Sequence, residues 1–125
     1  MAEPIVLVVD DEPLIRVLAR RFLERSGYQA MEAGSGVEAL CVLRQQPCDI
    51  ALLLTDIVMP GISGIELAQE AQAVHPTLPV VFMSGYSSRL ADNVAMYPCL
   101  QKPFRRQELV GMVAGALAVK TKVAD

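Results

Sequence analysis

Two stretches of this sequence, Ile5-Val-Leu-Val-Val9 and Ile50-Ala-Leu-Leu-Leu54, are apolar at every position rather than at every second one. A strand with one solvated face alternates between apolar and polar residues. Strands that do not alternate are buried on both faces, as in parallel sheets covered by helices above and below. The segments in between supply such helices. From Glu12 to Arg25 the apolar residues Leu14, Ile15, Leu18, Phe22 and Leu23 fall at helical spacing, with Arg16, Arg20 and Arg21 between them. Pro13 suits a first helical turn, and Gly27 can adopt the left-handed conformation that ends a helix.

The same rhythm continues along the chain. Tyr28 to Ala33 reads as a weaker strand, and Ser35-Gly-Val-Glu38 as a capping box that opens a helix to about Gln46. The second fully apolar run continues through Thr55 to Asp56. Met59-Pro-Gly-Ile-Ser63 is a loop, and Ser63-Gly-Ile-Glu66 is a second capping box, starting a helix to about Val74. Leu78 to Met83 forms a strand with Pro79 at its start, where a missing N–H is tolerated. Ser87 to Met96 reads as a short helix and Cys99-Leu-Gln101 as a brief last strand. Arg106 to Val119 forms the final helix, with Leu109, Val110, Val113 and Leu117 inward. Strands alternating with helices give a single α/β domain over residues 1–125, its core about 4–119.

Composition narrows the function classes. The net charge is −3, and the basic residues are dispersed rather than gathered into a stripe, which argues against nucleic acid as a ligand. The three cysteines, Cys41, Cys48 and Cys99, are odd in number and lack CxxC spacing, so neither a disulfide framework nor a zinc site follows. No apolar run near the N-terminus is long enough for a signal peptide or membrane span, and a cytoplasmic protein is expected. The chain ends soon after the final helix, so no output domain is expected.

Right-handed crossovers place every strand-to-helix loop along one edge of a parallel sheet, and ligands bind there. That rule selects Asp10-Asp11 after the first strand, Asp56 after the third, Ser84-Gly85 after the fourth and Lys102 after the fifth. Each has a plain structural explanation when taken singly. Asp10-Asp11-Glu12 could merely cap a helix, and Asp56, Ser84 and Lys102 could be loop residues. Together they describe a chemistry. Crowded carboxylates either recruit a divalent cation or raise their pKa values. An oxygen-only ligand set suits Mg²⁺. A carboxylate can accept a phosphoryl group, while Lys102 and the Ser84 hydroxyl stabilise its equatorial oxygens.

Val9-Asp10-Asp11-Glu12, Leu54-Thr-Asp56-Ile-Val-Met-Pro60-Gly, Met83-Ser84-Gly85 and Lys102-Pro103-Phe104 together resemble the ordered motifs of response-regulator receiver domains in two-component signalling. The resemblance spans about Pro4 to Val119. It implies a flavodoxin-like, doubly wound, five-stranded parallel sheet of order 2-1-3-4-5 with five helices. It further implies that Asp56 is the phosphoacceptor, and that Asp10, Asp11, Asp56 and the Val58 backbone carbonyl hold Mg²⁺. Lys102 would contact the acyl phosphate, with Ser84 as the switch hydroxyl. The implied donor is a phosphohistidine on a sensor histidine kinase or a histidine phosphotransfer domain. Such a protein is a signalling domain rather than an enzyme acting on outside substrates. Nothing indicates a membrane or nucleic-acid partner, and a monomer is favoured.

Some positions depart from the family pattern. Cys99 stands where a switch aromatic is usual, which puts the customary conformational coupling in doubt. Ser63 replaces a frequent acidic residue but can still cap its helix. Phe82-Met-Ser-Gly-Tyr-Ser87 resembles receivers of hybrid sensor kinases, and a stand-alone regulator is the other form to consider. His75, beside Pro76 at a helix end, reads as a loop residue and not as a phosphoryl donor. An aspartyl-phosphate phosphatase of the haloacid dehalogenase type would want a second Asp at position 58, where this chain has Val58. A flavin-binding flavodoxin would need a Gly/Ser/Thr cradle after the first strand, where this chain is acidic. A phosphorylation-independent receiver-like adaptor is the remaining alternative, disfavoured by the full set Asp11, Asp56, Ser84 and Lys102.

Overall fold

In the computed structural model, residues 3–45, 49–85 and 98–124 are described, with side chains to residue 118. The strands are β1 (Ile5–Val9), β2 (Gln29–Ala33), β3 (Ile50–Asp56), β4 (Val80–Ser84) and β5 (Cys99–Gln101). All pair in parallel in one sheet of order β2-β1-β3-β4-β5. The helices among the described residues are α1 (Pro13–Arg25), α2 (Gly36–Gln45), α3 (Gly64–Val74) and α4 (Arg106–Ala124). The helix expected over 87–96 lies outside the described residues. The flavodoxin-like sheet order anticipated from the motifs is the one observed.

Both faces of the sheet are covered, as the non-alternating runs require. Leu7, Val9, Leu53, Val80 and Phe82 pack with α2 and α3 residues such as Leu40, Leu43, Leu67 and Ala71. Val6, Val8, Leu52, Leu54, Val81 and Met83 pack on the other face with Ala19 and Leu23 of α1 and Leu109 and Val113 of α4. Between β1 and β3 the register shifts, with Ile5 opposite Ile50 but Val6 opposite Leu52. Skipping Ala51 is why Ile50 and Leu52 enter opposite layers.

Several boundaries differ from expectation, most of them by one or two residues. β4 begins at Val80, and Pro79 precedes it, with its carbonyl accepting from Leu53 N–H at 3.0 Å. The final helix runs to Ala124, past the expected Val119. Within it Leu109 and Val113 are buried, whereas Val110 and Leu117 are half-buried. The α1 stripe is also corrected. Leu14 is 85% exposed and Leu18 39%, because they lie on the side of α1 turned away from the sheet, while Ile15, Ala19 and Leu23, at i, i+4 and i+8, face the core.

Local signals explain the helix ends. Gly27, at φ +92°, closes α1 with Gly27 N–H on Glu24 O and Tyr28 N–H on Leu23 O, the two bonds of a Schellman motif. Ser63 and Glu66 form a full capping box at α3. At α2 the Ser35 hydroxyl accepts from Glu38 N–H, but the Glu38 carboxylate takes Gly34 N–H instead of returning to Ser35. No helix among the described residues is long and apolar enough to cross a membrane.

Candidate active site

The carboxyl edge gathers the predicted residues. Oxygen atoms of Asp10, Asp11 and Asp56 all lie within 4.8 Å of one another. Lys102 places its Nζ 2.8 Å from Asp10 Oδ2 and 3.4 Å from Asp56 Oδ2. The topology does this directly. β1 and β3 are central neighbours, so the residues that leave them stand side by side. Lys102 then reaches in from the turn after β5, its N–H bonded to Ser84 O at 2.8 Å. Ser84 follows Met83, the β4 partner of Asp56. A cleft of about 610 Å³ opens here, lined by Asp56, Val58, Ser84 and Lys102 together with Glu12 and Ile15 of the β1–α1 segment.

Burial gives these charges consequences. Asp10 is fully buried and Asp56 nearly so, while Asp11 is exposed. The Asp56 carboxyl is pushed up from 3.8 to about 6, chiefly by burial. Lys102 pulls it back down, and the neighbouring Asp10 charge raises it again. Burial works to lower the Lys102 pKa, but its hydrogen bond to Asp10 and the charges of both aspartates outweigh this, so its ammonium is held above the usual lysine range. One buried cation shared by two carboxylates leaves the cluster short of positive charge. All-oxygen donors, crowded and partly desolvated, fit a hard divalent cation.

Two supporting residues were not apparent from the sequence. Thr55 is fully buried at the end of β3, and its hydroxyl donates to the Asp56 carbonyl at 3.0 Å. Gly64 opens α3 so close to β3 that a Cβ there would stand 2.0 Å from the same carbonyl. Its N–H bonds Ile57 O at 2.8 Å. Gly64 appears in the sequence only as part of the Ser63-Gly-Ile-Glu66 capping box, which does not signal its close approach to β3; for Thr55 nothing in the sequence distinguishes it from an ordinary strand residue. Cys99 is not in the cluster. It pairs with Phe82 on β5 and packs toward the α2 and α3 layer, where burial pushes its thiol pKa up. His75 caps the far end of α3, its N–H on Ala71 O. Tyr86 lies outside the described residues.

Known proteins agree with this arrangement. The family profile of the response regulator receiver domain matches residues 6–114. The sensor kinase CckA of Brucella abortus is 36% identical over 112 residues, covering 86% of this chain but 12% of the kinase. The response regulator receiver protein CpdR of the same organism is 35% identical over 87% of this chain and 92% of its own length. A receiver domain protein from Clostridium thermocellum superposes with a TM-score of 0.88 at 27% identity, covering 96% of this chain and 98% of that one. With its motifs in order, its fold matched and its acidic edge assembled, the chain belongs to the response regulator receiver domain family, the receivers of two-component phosphorelays.

Proposed function

We propose that Asp56 accepts a phosphoryl group from a phosphohistidine partner in a Mg²⁺-dependent step, with Lys102 and Ser84 stabilising the transferred group. The observation that carries this is the meeting of Asp10, Asp11 and Asp56 within 4.8 Å, beside a Lys102 ammonium 3.4 Å from the Asp56 carboxylate. Asp10, Asp11, Asp56 and the Val58 carbonyl would hold the cation, Asp11 being the exposed ligand and Asp10 the buried one. When bound, Mg²⁺ supplies the positive charge that the carboxylate cluster lacks and neutralises phosphoryl oxygens.

This chain's own residues then have distinct tasks. An ionised Asp56 oxygen attacks phosphorus, a P–O bond forms, and the P–N bond breaks with its electron pair returning to the partner's imidazole. Lys102, already cationic and 12% exposed, lies where negative charge develops on the equatorial oxygens. Ser84, at the end of β4 and lining the same cleft, has a hydroxyl to donate to one of them. The partner is a sensor histidine kinase or histidine phosphotransfer domain. The domain catalyses only its own phosphorylation and dephosphorylation, in the cytoplasm.

Mass spectrometry after treatment with acetyl phosphate and Mg²⁺ tests this. One phosphoryl group is expected on the wild type, none on Asp56→Asn, and none in excess chelator. Equal labelling of Asp56→Asn would overturn the assignment.

A further inference from the structure

We propose that Arg16 is a positioning residue, holding the Asp10–Asp11 turn in the shape that presents Asp11 to a divalent cation; this rests on the metal reading above. Arg16 sits one turn into α1 and touches no phosphoryl or metal position. Its Nη1 donates to the Asp10 backbone carbonyl at 2.8 Å, and its Nε donates to Glu32 Oε1 at 2.9 Å. The other Glu32 oxygen takes Arg20 Nε.

The Asp10 carbonyl matters because it shares a planar peptide with the Asp11 N–H. Fixing that carbonyl fixes the plane from which Asp11 departs. On the far side of Asp11, the Glu12 N–H is held by Asp10 Oδ1 at 2.9 Å. Before the turn, the Asp10 N–H is held by Ala33 O at 3.2 Å. Asp11 is thus exposed, yet both peptides flanking it are tied down, and Arg16 is the side chain from outside the turn that does part of the tying.

Glu32 is the anchor. It lies on β2 opposite Val8 in the ladder, so its place is set by the sheet. Burial would raise its pKa, but the hydrogen bonds and charges of Arg16 and Arg20 outweigh burial and keep it below the usual carboxylate range. An arginine suits the place because its donors sit on separate nitrogens of one rigid plane, Nε toward Glu32 and Nη1 toward the Asp10 carbonyl, a span that the single nitrogen of an ammonium does not offer.

Charge and position predict opposite results. Replacing a cation near a divalent site by a neutral group should, by Coulomb's law alone, tighten metal binding. Loss of positioning should weaken it. The experiment is a calorimetric Mg²⁺ titration of the unphosphorylated full chain. Arg16→Gln is expected to bind Mg²⁺ about tenfold more weakly than the wild type, the lower end for groups that orient metal ligands. Arg16→Lys, which keeps the charge, should also bind more weakly while melting like the wild type in chelator. Arg20→Gln removes the same charge one turn on, but leaves the Asp10 carbonyl bond, and should stay within about twofold of wild type.

If Arg16→Gln proves unfolded, Arg16→Lys decides alone. Folded Arg16 variants that bind Mg²⁺ as tightly as the wild type, or more tightly, would overturn the role of Arg16 alone. A wild type without saturable Mg²⁺ binding would overturn the metal reading and this role with it.

Discussion

Lys102 Nζ and Asp10 Oδ2 stand 2.8 Å apart, and the carboxylate of the pair has no exposed surface at all. Breaking a buried ion pair by removing one partner leaves an uncompensated charge in a low dielectric, at a cost of about 3–5 kcal/mol. Lys102→Met in chelator should therefore lower the unfolding free energy by about 3 kcal/mol. Adding Asp10→Asn should return most of that loss, since the stranded charge goes with it. Urea denaturation of the wild type, both single variants and the double variant gives the coupling energy. A loss under about 1 kcal/mol for Lys102→Met would show that Asp10 is neutralised by other means.

Asp56 sets a pH dependence of the metal-free domain. Its folded pKa of about 6 lies above the ordinary 3.8, so the folded state holds its proton more tightly than the unfolded chain does. That contribution is complete below about pH 4 and is lost as pH rises through 6, by about 3 kcal/mol. Glu32 is shifted downward and acts in the opposite sense: its contribution is present above pH 4.5 and fades as pH falls below it. The difference between wild type and Asp56→Asn isolates the Asp56 part. The variant should be the more stable at pH 7, with the gap closing by pH 4, as read by denaturation at fixed ionic strength.

Mg²⁺ should reverse much of this penalty. A ligand that binds only the folded form adds RT ln(1 + [L]/Kd), about 2.7 kcal/mol at a hundredfold excess over Kd. Asp11→Asn should blunt that gain and slightly raise stability without metal, because one repelling carboxylate has been removed. Melting curves that ignore millimolar Mg²⁺ would contradict both statements.

What was legible in the sequence follows from what is local. The runs Ile5–Val9 and Ile50–Leu54 declare a two-sided burial, which with helical segments between them points to a covered parallel sheet, and the strand ends then locate the acidic cluster. Thr55 and Arg16 were opaque because their roles depend on where backbone carbonyls point and on the β1–β2 register that sets Glu32 beside α1. Leu14 misled for a related reason. The apolar residues of α1 span a wide arc, from Leu14 and Leu18 round to Ile15 and Leu23, and spacing alone does not say which part of that arc the sheet covers.

The phosphorylated state should be long-lived for want of a group to hold the attacking water. Val58 lines the cleft two residues beyond Asp56, 59% exposed, and carries no donor or acceptor on its side chain. A carboxamide there could orient a water toward phosphorus. Val58→Asn should shorten the aspartyl phosphate lifetime by at least about threefold, a small part of what a positioned proton acceptor supplies. Phosphate release from the labelled domain measures this, and an unchanged or longer lifetime would count against it.

Cys99 limits how far the signal travels. It pairs with Phe82, is half-buried against the α2 and α3 layer, and lies outside the cleft that Ser84 lines. A large ring at this place would sweep out volume as it moved inward behind Ser84. The small, apolar thiol does not, and its raised pKa keeps it protonated and uncharged at neutral pH. A bound phosphoryl group shifts a conformational equilibrium only through contacts that differ between the two states. With little for Cys99 to gain, β5 and α4 should stay nearly as they are. Change should be confined to Ser84 and the loop that follows it. Backbone amide shifts with and without beryllofluoride should then be large at Asp56, Ser84 and Gly85 and small at Cys99, Leu100 and Leu109. Cys99→Tyr should enlarge the shifts at Leu100 and Leu109. Wild-type shifts there as strong as those at Ser84 would show that the final strand and helix respond without an aromatic ring.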